Sequence, residues 1–149
     1  MSADEIVPTN GADEGVPVNR NTFIEPGEDT VLISDCGFPV IEIAVRIAGG
    51  RVVKVPINSD YSFNLEATES ALEAGAKLLL FASPDNPTGA ILPSLVVRKW
   101  CQEFSDTLFV IDEAYAEFTQ TSVIGYLREQ SNLIVLRSFS KAWSMADCA

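Results

Sequence analysis

Short apolar runs recur along this chain with room for one helix between most neighbours, and that rhythm limits the fold more than any single residue does. The runs Thr30 to Ser34, Arg51 to Pro56, Lys77 to Ala82, Thr107 to Ile111 and Asn132 to Leu136 are each rich in Val, Ile, Leu or Phe and read as strands. Helix patterns fall between them, around residues 39–48, 65–75, 93–104 and 121–130. Asn64 is placed to cap the second of these helices and Gly75 to stop it, while Pro93 suits the first turn of the third. Such alternation implies parallel pairing through crossovers, hence an α/β fold with a doubly wound, mainly parallel sheet and flanking helices. At 149 residues the chain is long enough for one domain with a real core and too short for two of ordinary size. A hydrophobic share of 47% suits strands covered on both faces.

Charge and cysteine usage remove several function classes. A net charge of −11, from 21 acidic and 10 basic side chains, offers no basic stripe for a nucleic-acid backbone. No run approaches the roughly 18 apolar residues that a membrane helix needs. Cys36, Cys101 and Cys148 stand far apart, with no histidine in the chain, so neither a zinc site nor a disulfide framework is expected. The start, Met1-Ser2-Ala3-Asp4-Glu5, lacks the basic and apolar stretches of a secretory signal. A reducing, cytoplasmic setting is the expectation.

Three of the strand runs lead into polar clusters: Asp85-Asn86-Pro87-Thr88-Gly89, Asp112-Glu113-Ala114-Tyr115 and Ser138-Phe139-Ser140-Lys141. In a parallel sheet these clusters share one rim, outside the carboxyl ends of the strands, where open α/β sheets bind ligands. A lysine that can lose its proton forms a Schiff base with a carbonyl, and an aspartate suits a protonated ring nitrogen; both are protein partners of pyridoxal phosphate. Each cluster also has a plain reading. Gly11 to Gly15 serves as a capped helix start, Phe38 as a core ring, residues 85–89 as a tight turn, Asp112 as a helix cap and Lys141 as a surface lysine.

Taken together and in order, these stretches resemble the fold-type-I pyridoxal-phosphate aminotransferases, most closely the histidinol-phosphate aminotransferase branch. The residues that carry the resemblance are Thr9 to Gly15, Ser83 to Gly89, Val110 to Phe118 and Asn132 to Ala142, which span nearly the whole chain. The resemblance implies that Lys141 binds the cofactor covalently and moves the substrate proton. It also implies that Asp112 faces the pyridine nitrogen and that Asn86 and Tyr115 bond the phenolic oxygen. Phe38 would stack on the ring, and Gly11, Ala12, Asp13, Ser138 and Ser140 would hold the phosphate. The implied substrates are an amino acid and a keto acid, with glutamate and an imidazole-bearing phosphate as the pair, and the implied assembly is a homodimer. Within the same fold, a lyase or decarboxylase of the threonine-phosphate decarboxylase kind is the alternative. A truncated remnant that at most binds the cofactor is the other.

The chain also departs from that family. Cys36 and Ile41 stand where a proline and a tyrosine are usual, which implies a pocket of altered shape. Val16-Pro17-Val18-Asn19-Arg20-Asn21 carries little of the apolar stripe expected behind a helix start, and Pro17 lacks an N–H. After Lys141, Ser144-Met145-Ala146-Asp147-Cys148-Ala149 replaces a glycine turn and an arginine. The expectation is that residues 1–149 form a partial cofactor-binding domain, without the family's N-terminal arm and small C-terminal domain, and that its uncovered apolar surface promotes association.

Overall fold

The computed structural model describes residues 2–146, the side chains of residues 17–21 excepted; Asp147, Cys148 and Ala149, the last part of the departure noted after Lys141, lie outside the described residues. The strands are β1 (Thr30–Ser34), β2 (Arg51–Val55), β3 (Leu78–Ala82), β4 (Leu108–Asp112) and β5 (Leu133–Leu136). Four α-helices accompany them: α1 (Ala12–Phe23), α2 (Pro39–Ile47), α3 (Leu65–Glu73) and α4 (Ser94–Glu103). All strand pairs are parallel, in the order β2-β1-β3-β4-β5.

That order follows from the direction of winding. The chain steps outward from β1 to β2 through α2, then returns through α3 to the far side of β1 and continues through α4 to β4. Crossovers of one hand then put α2 on one face and α3 with α4 on the other. The cores agree. Val31, Ile33, Leu78, Leu80, Val110 and Leu136 pack with Ala12 and Val16 of α1 and with Ile41, Ala44 and Val45 of α2. The alternate residues Leu32, Leu79, Phe81, Phe109, Ile111 and Leu133 pack with Leu72 of α3 and with Val97, Trp100 and Cys101 of α4. Strand β3 is buried along its whole length, which is why it reads as an unbroken apolar run.

Local chemistry sets the helix ends. Asn64 Oδ1 accepts the Ala67 N–H at 2.9 Å and caps α3. Gly75, at φ +89°, ends the same helix and donates its N–H to Leu72 O at 2.9 Å. Pro93 sits one residue before α4 as its N-cap. Between α3 and α4, the fully buried Trp100 donates Nε1 to Glu69 Oε1 at 2.9 Å. Helix α1 continues through Pro17. It approaches β5 so closely that a Cβ on Gly15 would stand 3.1 Å from Leu136 Cδ2.

The strands lie within one residue of the sequence reading at each end. The helix expected around 121–130 is absent, and only a 3-10 turn at Ile124–Tyr126 forms there. The reason is competition from outside the segment. Glu113 takes the Val123 N–H at 2.6 Å and the Ser122 hydroxyl at 2.7 Å, and Ser122 Oγ in turn takes the Ile124 N–H at 3.1 Å. Side-chain acceptors thus hold backbone and hydroxyl donors where a helix would run its own ladder. Among the described residues no helix is long and apolar enough to cross a membrane.

Candidate functional site

The register aligns the carboxyl ends of the strands, with Ala82 opposite Asp112 and Asp112 opposite Leu136. Every chain segment that leaves these ends turns over the same rim. There a cleft of about 300 Å³ gathers Gly11, Ala12, Asp13, Phe38, Asn86, Asp112, Tyr115, Ser138, Ser140 and Lys141. All the residues singled out in the sequence as candidates line this one cleft. Sequence reading did not select Asn10, Ala82, Ala114 and Ala146, which complete its wall. Asn10 was recoverable from its place beside Gly11. The alanines carry no chemical signature, only small size where a flat ligand would need wall space.

Asp112 ends β4 on the α1 side of the sheet, partly buried, and its Oδ1 accepts the Ala114 N–H at 3.0 Å. Burial raises the pKa of its carboxyl above the ordinary aspartate value, and the negative charges of Asp13 and Glu113 add to that. The Ala114 N–H and Lys141 pull the other way. A positive group set against this carboxyl would relieve the penalty. Lys141 stands exposed at the mouth, with Nζ 5.6 Å from the centroid of the Tyr115 ring. Tyr115 in turn tilts against Phe118, ring centroids 6.3 Å apart.

The wall formed by the start of α1 and the loop after β5 offers donors to an anion. Gly11, at φ +74°, turns the chain into α1, whose first N–H groups have no partner within the helix. A Cβ on Gly11 would lie 3.8 Å from Ser140 Oγ, so this turn and the β5 loop face each other. Ser138 is buried, and its Oγ accepts the Ser140 N–H at 3.0 Å, which fixes the bend before Lys141.

Asn86 projects from a loop that bonds chiefly to itself. Asp85 N–H donates to Ala90 O at 2.8 Å, Gly89 N–H to Asp85 O at 2.9 Å, and Thr88 Oγ1 to Asp85 Oδ2 at 2.7 Å. Phe38 caps the start of α2 and is half-buried against the α1–α2 core. Its ring and Ala82 also border a smaller cavity of about 130 Å³ between the ends of β1 and β3. There Asp85 Oδ1 and Ser34 Oγ are buried without a hydrogen-bond partner.

A flat, phosphorylated pyridine aldehyde fits this donor set. The lining offers helix amides and serine hydroxyls, an aromatic ring, a partly buried carboxylate and an amine. Among the described residues no group of histidine, cysteine or acidic side chains could hold a metal ion.

Residues 1–148 match the family described as aminotransferase class I and II. The histidinol-phosphate aminotransferase 1 of Legionella pneumophila (strain Lens) is 31% identical over 98% of this chain and 41% of its own length. The chain thus spans about two fifths of the curated relatives it matches. A solved protein from Erwinia carotovora atroseptica superposes with a TM-score of 0.90 at 29% identity, covering 99% of this chain and 44% of that one. The histidinol-phosphate aminotransferase of Sinorhizobium meliloti, solved with pyridoxal-5'-phosphate, gives 0.83 at 32% identity, over 93% of this chain and 38% of that one.

Proposed function

The chain belongs to the class I and II aminotransferases, and on that premise we propose that these residues form the cofactor-binding part of a pyridoxal-phosphate enzyme. Its reaction would move an amino group between histidinol phosphate and a keto acid, as the names of its relatives suggest. The observation that carries this reading is the convergence of Asn86, Asp112, Tyr115, Ser138 and Lys141 on one cleft from three separate strand ends.

When bound, the cofactor supplies an electron sink for the pair left behind as the substrate's α-proton departs. The chain's own residues do the rest. Lys141 Nζ would attach the cofactor and afterwards carry the proton to and from the α-carbon. Asp112 would keep a proton on the ring nitrogen by charge, and that positive ring would offset the burial of its carboxylate. Asn86 and the Tyr115 hydroxyl would bond the phenolic oxygen, Phe38 would cover a ring face, and the start of α1 with Ser138 and Ser140 would hold the phosphate. Two copies would pair as a homodimer in the cytoplasm, a setting that the free thiols of Cys36 and Cys101 suit.

The test is to add pyridoxal phosphate to the purified chain, reduce with borohydride and locate the adduct by peptide mass. A single adduct at Lys141, lost in Lys141→Ala, is the expected result. Labelling spread over several lysines would reject the site. Transfer of the amino group from histidinol phosphate to 2-oxoglutarate then tests the substrate pair.

A further inference from the structure

Glu113 has 2% of its side chain exposed, yet it does not line the cleft. Its Oε1 accepts the Val123 N–H at 2.6 Å, and its Oε2 accepts both the Ser122 hydroxyl at 2.7 Å and Arg137 Nε at 3.0 Å. Arg137 donates further from Nη1 to Glu117 Oε1 at 2.8 Å and from Nη2 to Ser122 Oγ at 3.1 Å. Glu113 directly follows Asp112, and Arg137 directly precedes Ser138.

Strand alternation gives this pairing its meaning. Val110 and Leu136 belong to the α1 side of the sheet, so Asp112 and Ser138, two residues further on, continue that side, and Glu113 and Arg137 turn to the back. The β4–β5 ladder runs out at Asp112 and Leu136, with a last backbone bond from Glu113 N–H to Leu136 O at 2.9 Å. Beyond that point the two rim segments are joined from behind by charged side chains.

We propose that the Glu113–Arg137 ion pair is the positioning brace of the cofactor cleft, fixing the separation between the segment that carries Asp112 and Tyr115 and the segment that carries Ser138 and Lys141. The ligand it serves rests on the function proposed above; the brace itself does not. Both residues act through their neighbours.

The experiment compares Arg137→Gln, Glu113→Gln, their double variant and Glu117→Gln in the full chain. Amide exchange is read without cofactor, and the Kd for pyridoxal phosphate is read separately. Arg137→Gln strands a buried carboxylate, so exchange over residues 112–116 and 138–142 should quicken about tenfold while α3 and α4 keep their rates, and Kd should rise about tenfold. The double variant leaves no uncompensated charge and should regain much of the lost stability, yet exchange in the two rim segments and Kd should both stay raised, because the link itself is gone. Glu117→Gln releases only the exposed arm of Arg137 and should fold normally with about a threefold rise in Kd.

Parent-like exchange in both rim segments of the folded variants overturns the brace, as does exchange that quickens equally in α3 and α4. Quickened exchange with unchanged Kd overturns its role in the cleft. If the buried variants fail to fold, Glu117→Gln decides on the same two readings. If the parent chain gives no Lys141 adduct, the proposed function fails, and the exchange arm still judges the brace alone.

Discussion

Asp85 and Asp112 stand on the same rim, and burial pushes the pKa of both carboxyls above the ordinary value of 3.8, against the hydrogen bonds they accept from Thr88 and Ala114. An acid with a raised folded pKa holds its proton more tightly when folded, so stability is lost as pH climbs from 3.8 through the folded value. Both carboxylates therefore weigh against the fold at neutral pH. Asp85→Asn should raise stability at pH 7 by on the order of 1 kcal/mol, and should flatten the fall in melting temperature above about pH 4. A variant that melts no higher than the parent at pH 7 would refute this. Asp112→Asn should show two opposite signs: a higher melting temperature without cofactor and a Kd for pyridoxal phosphate weakened about tenfold or more. Unchanged affinity would remove Asp112 from the role proposed for it. Asp112, Asn86 and Lys141 were legible because each follows an apolar run whose end fixes its place on the rim. Glu113 was not, although it adjoins Asp112, because its partners Ser122, Val123 and Arg137 meet it only in the folded chain.

Elements were readable where burial is two-sided or a cap is local. Strand β3 announces itself by an unbroken apolar run, and α3 by Asn64 and Gly75 at its two ends. Even β2, exposed along most of its length at the sheet edge, keeps the Val-Val pair that marks a strand. The segment 121–130 misleads because Val123, Tyr126 and Leu127 fall at helical spacing while its first donors are held by Glu113 and Ser122. Removing the α3 cap tests the opposite case. Asn64→Ala should cost about 1 kcal/mol, since the Ala67 N–H loses its acceptor, and Asn64→Asp should keep nearly all of it. Equal denaturation midpoints for Asn64→Ala and parent would show that the cap contributes nothing here.

Taken as a whole, the described residues leave β2 and β5 as the two edges of the sheet and expose several large apolar side chains: Phe118 at 66%, Phe139 at 70%, Trp143 at 59% and Met145 at 45%. Surface of that kind is a site of association. Sedimentation should show larger species growing with concentration despite the net charge of −11, and a single monomer boundary at every concentration would count against it. The strand order has one more effect, which belongs to time. Val31 of β1 pairs with Val52 on one side and with Leu78 on the other. As the ribosome delivers the chain, β1 finds its first neighbour early and stands with one flank bare until β3 emerges. Lys141 follows every other candidate residue of the cleft in the chain, so the amine proposed to attach the cofactor emerges only after all five strands that frame it.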